Sequence, residues 1–491
     1  MRLRASLQRL LLLTVAVIAV AVMDPVLGQQ TQFAPQPVWA NSSHSDETEQ
    51  PEAPVPSVPE FLTQDDLSPI LSRLNELESR REERDSSGVE YLETPSVDSL
   101  RVVNGRLHVD EWGFPVSSSG VNLIENGDPN TNPKNRVLLR RVRLSVAGKV
   151  PPENVSYHLD LEFSGTDRGQ VRDAWVGLDD LHLLNTVRIG NQKRPYGLNE
   201  LNSSNFMTFL ERPFVVSAFN EENRRFGIMT YGTTPDQRYN WRFGGFHLRQ
   251  FQSTGSIVDN LDEVELAGRL ASTTLFGRCD GRDYFHLAIA GSVGFPSPDP
   301  NDTTARRRTR PEARSESRWL DTGPIDGARV YELLALESVL NIGRASVSAE
   351  YMNLWMQRED DAGSDLFLHG GYVSATYMLT DDYQPWNPEL GILGRLKPSS
   401  PFIRDQFRQQ RGPGAWQIAA RFSLGDFNDA DIRGGLGKSA TIGLNWYLNS
   451  HTRWQFNYLF GRIDDRQLTG LNPSIVSGHY QIIGTRIMLD F

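Results

Sequence analysis

Eight cations in the first half of this chain have types and spacing suited to anion chemistry: Arg140, Arg141, Arg143, Lys193, Arg194, Arg212, Arg224 and Arg225. A guanidinium is planar, charged and weakly hydrated. A row of them can exchange an anion's water shell for hydrogen bonds step by step. Glu200, Glu211, Glu221 and Glu222 lie close in sequence and offer the opposite use, carboxylate pairing that only braces a fold. A second run, Arg306, Arg307, Arg308, Arg310, Arg314 and Arg318, falls in a polar connection. There it meets lipopolysaccharide phosphate, funnels anions, or is simply a solvated surface loop.

Other chemistry finds no support. The single cysteine, Cys279, excludes a disulfide framework, and no Cys/His spacing suits a metal. No glycine-rich phosphate loop is present, so no cofactor is expected. A lipid-hydrolysing wall needs a serine partnered with His158 or His369, and spacing supplies none, so no enzyme is expected. Net charge is −11, but residues 29–95 carry 14 acidic residues against 4 arginines. The acidity therefore sits in that segment, and nothing suggests a nucleic-acid partner.

The elements that must position the cations are strands. Tyr157, Leu159, Leu161 and Phe163 alternate with His158, Asp160, Glu162 and Ser164. Trp416, Ile418, Ala420 and Phe422 alternate with Gln417, Arg421 and Ser423, and Ile483, Ile487, Leu489 and Phe491 with Gly484, Arg486, Met488 and Asp490. Period two with one apolar face marks strands buried on one side. Charge running through the polar face would be costly in a dry core but not against water. About sixteen such segments fill 101–491, most about 9–12 residues long, the length a tilted strand needs to cross a bilayer. Mean hydropathy of −0.43 is compatible with this, because such strands are only half apolar. Trp112, Tyr231, Trp241, Tyr351, Trp355 and Tyr377 fall near strand ends, where aromatic girdles belong. Long connections at 113–135, 192–223, 249–260, 293–327, 354–366, 425–436 and 461–478 alternate with short turns. A short connection near 165–170 and a long stretch at 380–413 break that alternation. The expected fold is all-β, a transmembrane antiparallel β-barrel over 96–491 with lipid outside and water inside.

Ahead of it, residues 1–28 read as a cleaved signal peptide: Arg2, Arg4 and Arg9, an apolar Leu10–Val22, then small residues before Gln29. Residues 29–95 form an acidic Pro/Ser/Glu-rich linker that cannot bury a core. Within it Leu67, Ile70, Leu74 and Leu77 give a short helix at 67–84 with a coiled-coil seam. Export and barrel together place the chain in a Gram-negative cell outer membrane.

Four segments carry a family resemblance. Arg140-Arg141-Val142-Arg143-Leu144 precedes Tyr157-His158-Leu159-Asp160, and Arg188-Ile189-Gly190-Asn191-Gln192-Lys193-Arg194-Pro195-Tyr196-Gly197-Leu198 runs on to Ser203–Arg212. Gly414-Ala415-Trp416, Ala420-Arg421-Phe422 and Gly443–Leu448 close the set. In order and spacing the chain resembles the phosphate-selective porin O and P family over roughly 100–491. The resemblance implies a trimer of sixteen-stranded outer-membrane barrels, each with a loop folded into its lumen, here 192–223. It departs where family members carry lysines in that loop, since the aligned positions hold Glu200 and Asn205. By alternation Arg141 and Arg143 face one way and Arg140 the other, so Arg140 meets lipid, sits at a rim, or is re-aimed by a bulge. The expected function is a porin passing small hydrophilic solutes, with a bias toward anions or phosphate, in contact with membrane lipid and lipopolysaccharide. The alternative is a structural protein tethered to the cell wall through its N-terminal arm. Deleting 29–95 separates the two: a porin keeps its conductance in planar bilayers, whereas for a tether envelope integrity is what fails.

Overall fold

The computed structural model describes residues 101–150, 154–165, 169–220, 223–250, 262–275, 281–299, 302–403, 411–468 and 474–491. The signal peptide, the linker, its helix, Glu221, Glu222 and Cys279 lie outside them.

Sixteen antiparallel strands close into one barrel, each hydrogen-bonded to its neighbours in sequence and the last to the first. They are β1 (Arg101–Ser117), β2 (Arg136–Val150), β3 (Val155–Glu162), β4 (Gln170–Leu181), β5 (Asn185–Lys193), β6 (Arg224–Thr233), β7 (Tyr239–His247) and β8 (Val264–Leu275). The second half comprises β9 (Tyr284–Gly294), β10 (Ala328–Ile342), β11 (Ala345–Arg358), β12 (Leu366–Met378), β13 (Ala415–Asp429), β14 (Ile432–Tyr447), β15 (Thr452–Gln467) and β16 (Ile475–Asp490). Closure leaves no unpaired strand edge, which a hydrocarbon setting requires.

Burial decides which face is which. Ile442 is 59% exposed and Ile487 53%, while Arg421 is 4% exposed and Gln455 0%. The apolar face therefore points outward to lipid and the polar face inward. Two aromatics assigned to girdles do not sit there. Trp112 is wholly buried inside, with its indole N–H donated to Asp110 at 3.2 Å. Tyr231 takes a hydrogen bond from Arg188 at 2.6 Å on the inner face. Both fall at inward positions of their strands, which type and nearness to a strand end do not reveal.

The expected long connection at 425–436 is instead a tight turn at 430–431, because β13 and β14 pair out to Asp429 and Ile432. The stretch 380–413 does hold an extra hairpin, Trp386–Asn387 with Ile392–Leu393, but not in the wall. It lies inside the barrel. Arg242 donates to the Leu390 carbonyl at 2.9 Å, Trp386 donates to Thr273 at 3.2 Å, and Leu393 N–H donates to Asn202 at 2.9 Å. The interior is thus not simply water against a polar wall. Among the described residues three segments fold into it: 194–220 and 302–327 from the long-connection end, and 380–403 from the short-turn end.

One seam closes the ring. Asp110 of β1 and Arg486 of β16 are register partners, and Arg486 donates to both Asp110 oxygens at 2.6 and 2.7 Å. The same guanidinium donates to the Leu210 carbonyl at 2.5 Å, so one side chain joins wall closure to the infolded segment.

Candidate functional site

The lumen gathers its cations through two local irregularities. Along β1 and β2, His108 pairs with Arg141 and Val109 with Leu139, so Arg140 has no register partner and forms a bulge. An extra residue resets the alternation on one side of the bulge. Leu139 stays 54% exposed on the lipid face, yet Arg140 and Arg141 both turn inward, Arg141 being 5% exposed. This answers the alternation problem at the arginine pair. The same device recurs between β3 and β4, where Asp160 pairs with Asp173 and Leu161 with Val171, leaving Arg172 as the extra residue.

The infolded segment 194–220 turns inward at Gly197, whose φ of +87° favours glycine. A Cβ there would lie 2.9 Å from Met352 Cε. Two short helices follow, α2 (Leu198–Leu201) and α3 (Phe214–Phe219). Lys193 caps α2, with Nζ donating to the carbonyls of Glu200, Leu201 and Asn202 at 2.6, 3.1 and 3.1 Å. Phe214, Val215, Val216 and Phe219 of α3 are buried and fix the segment against the wall.

The 302–323 loop, for which sequence leaves a solvated surface loop among the options, is folded over the lumen. Arg306 holds Asp321 at 2.7 and 2.5 Å across a small ribbon, Arg308–Thr309 with Leu320–Asp321. Helix α1 (Ser119–Asn126) clamps the loop from the side, since its Glu125 accepts the Trp319 indole at 2.7 Å and the Glu316 amide at 2.7 Å. Glu312, 2% exposed, accepts from Arg421 at 2.7 Å, Thr441 at 3.2 Å and the Phe214 amide at 3.2 Å.

Between these segments and the bulged wall lies a cavity of about 350 Å³. Seven arginines line it, Arg140, Arg172, Arg212, Arg308, Arg310, Arg314 and Arg318, against the carboxylates Glu200, Glu211 and Glu312. Each carboxylate is already engaged. Glu211 takes a fork from Arg140 at 2.5 and 2.9 Å, Glu200 meets Arg212 at 3.2 Å, and Glu312 holds Arg421. Burial alone would raise the Glu211 carboxyl, but Arg140, Arg314 and Arg486 overcome it and hold it well below the usual carboxylate range. Arg140 opposite it, together with burial, pulls Arg314 down to about 9. Burial and Arg318 bring Arg310 to about 10. Both stay charged at neutral pH.

The eight cations singled out by spacing divide by partner. Arg140 and Arg212 line the cavity. Arg143 lies against Glu162 at 2.5 Å and Asp160 at 3.4 Å, Arg224 against Asp173 at 2.8 Å, and Arg194 against Glu265. Lys193 caps α2, and buried Arg225 approaches the His247 carbonyl at 3.5 Å. Arg141 is buried, and its Nε finds no hydrogen-bond partner among the described residues. Sequence reasoning missed Arg172. It also left the placement of Arg308, Arg310, Arg314 and Arg318 open. A loop's arginines are visible in sequence, but whether the loop folds in or out is not.

A family model described as phosphate-selective porin O and P matches residues 118–491. An uncharacterized protein of Caulobacter vibrioides is 28% identical over 361 residues, covering 72% of this chain and 68% of that one. Porin O of Pseudomonas aeruginosa is 20% identical over 368 residues, covering 68% of this chain and 78% of that one. Among solved structures, the outer membrane protein OmpT of Vibrio cholerae in its trimer form gives a TM-score of 0.47 at 9% identity, over 80% of this chain and 99% of that one.

Proposed function

The chain belongs to the phosphate-selective porin O and P family and is an outer-membrane porin, and from that premise we propose that its channel passes small hydrophilic solutes passively with a bias toward anions. The observation that carries the bias is the cavity, whose lining among the described residues holds seven arginines and three carboxylates. Surplus positive charge between low-dielectric walls raises the local anion concentration. Paired Arg143 and Arg224 brace the wall and contribute less to that surplus.

Strict phosphate selectivity is not part of the proposal. Glu200 stands at an aligned lysine position and is held by Arg212, and Asn205, at another, offers its carbonyl to Arg453 at 3.2 Å. A dianion therefore lacks the mobile ammonium groups that would separate it from chloride.

Association of three copies fits the uneven wall. β3, β5 and β7 have 8, 9 and 9 residues, while β13 to β16 have 15 or 16. Strands at or below about 9 residues barely match a bilayer, and association is one way to relieve such a mismatch. The outward residues of that low side are apolar, among them Leu159, Val176, Ile189 and Ile228, and would pack against a neighbouring copy. Membrane lipid covers the rest.

In planar bilayers under a salt gradient, the reversal potential is expected to carry the sign of chloride over potassium, with phosphate conducted no better than chloride. A potassium-selective sign, or no stepwise conductance at all, removes the reading.

A further inference from the structure

The lipid-facing wall carries a site for which the channel has no use. Outward residues of β14, β15 and β16 are register partners in successive rows. Trp446, Trp454 and Ile487 form a row near the short-turn end, and Ile442, Tyr458 and Ile483 lie in the middle. Two rows further out, Lys438, Arg462 and His479 stand side by side. All three are exposed, on the same face as Ile442 and Ile483.

From Trp446 to Lys438 the strand climbs eight residues. At about 3.4 Å per residue and a tilt of about 40°, that is roughly 20 Å of depth, against an apolar band of about 25 Å in such barrels. The basic row therefore sits at the far border of the hydrocarbon, where the long-connection side meets headgroups. Neighbouring strands are about 4.8 Å apart, so the three side chains can converge on one phosphate or a close pair. A cation facing acyl chains is unfavourable, and one facing a headgroup anion is not.

The arginine is held in readiness. Arg462 donates Nε to Asp464 at 2.6 Å, and its side chain remains 65% exposed. That contact uses one edge of the guanidinium and leaves the terminal amino groups to lipid. Asp426, one row further out, is turned to the Asn428 amide at 3.0 Å. The arginine run at 306–318, the other basic candidate for a lipid contact, is committed to the lumen.

We propose that Lys438, Arg462 and His479 form a binding site for the phosphate of an anionic outer-leaflet glycolipid, of the lipid A type, on the outside of the barrel. The proposal rests on outer-membrane residence of the barrel, not on which ions the lumen prefers.

The test uses full-length folded protein in detergent. Binding of diphosphorylated and of dephosphorylated lipid A is measured by native mass spectrometry, for the parent and for K438S/R462S/H479S. The parent is expected to bind the diphosphorylated form about tenfold more tightly than the variant, with no difference for the dephosphorylated form. Millimolar inorganic phosphate should not displace the lipid. Equal binding by parent and variant, or no dependence on the lipid's phosphates, overturns the site. Bilayer conductance is read on the same preparations and should be unchanged, which separates loss of the lipid site from failure of the channel reading. Should the triple variant not fold, R462Q alone decides, with an expected loss of about threefold.

Discussion

Replacing Arg310, Arg314 and Arg318 together by alanine is expected to remove most of the channel's preference for chloride over potassium. The three side chains supply much of the cavity's positive charge, and the ion pairs of Arg143, Arg224 and Arg421 that brace the wall do not involve them. A unit charge about 8 Å away in water is worth about 0.5 kcal/mol. Three together give about 1.5 kcal/mol, roughly tenfold in local anion concentration before screening. At about 0.1 M salt the permeability ratio should fall about three- to tenfold. At about 1 M, with a screening length near 3 Å, parent and variant should nearly converge. The reversal potential measured at both salt concentrations checks this. An unchanged ratio at low salt would mean that the path avoids the arginine chamber.

The second large effect is on stability. Asp110→Ala removes the carboxylate that Arg486 grips across the closing seam, and both groups are essentially buried. Breaking a buried pair by deleting one partner costs about 3–5 kcal/mol, because the other charge is left uncompensated. The expected loss lies near the lower end, about 3 kcal/mol, since Arg486 keeps the Leu210 carbonyl and Glu211 at 3.1 Å. Asp110→Asn preserves shape and one acceptor and should cost less. The midpoint of thermal unfolding in detergent, followed as loss of the compact heat-resistant form on gels, reports both. If Asp110→Ala unfolds with the parent, the seam is held by backbone pairing alone.

The barrel wall was legible because side chains alternate with period two and lipid rewards only one of the two faces. Arg421 and Gln455 on one side, Phe422 and Phe456 on the other, identify the inside before any coordinates are seen. The bulge at Arg140 was only half legible. Two consecutive arginines in an alternating strand break the rule, and the break names a bulge as one of three answers. Arg172 carried a fainter signal of the same kind, standing beside Asp173 close to the start of β4 at Gln170, where little alternation precedes it.

The loops were least legible. Nothing in the composition of 302–323 separates an arginine-rich loop bathed in solvent from one folded over the lumen. What decides it is remote: Glu125 of α1 takes the Trp319 indole, and Glu312 meets Arg421 and Thr441 from the opposite wall. These partners lie 194, 109 and 129 residues away in the chain. The same holds for 380–403: its length breaks the alternation of connections, but nothing in its residues shows that it folds inward.

By itself, then, the order of residues determined a closed sheet with an oily exterior and a charged interior, because strand alternation is a local property and each position reports its own solvent. Only the tertiary structure decided which guanidinium groups brace the wall and which line the passage. Pairing depends on distances between strands and loops far apart in sequence, and those distances exist only once the ring has closed.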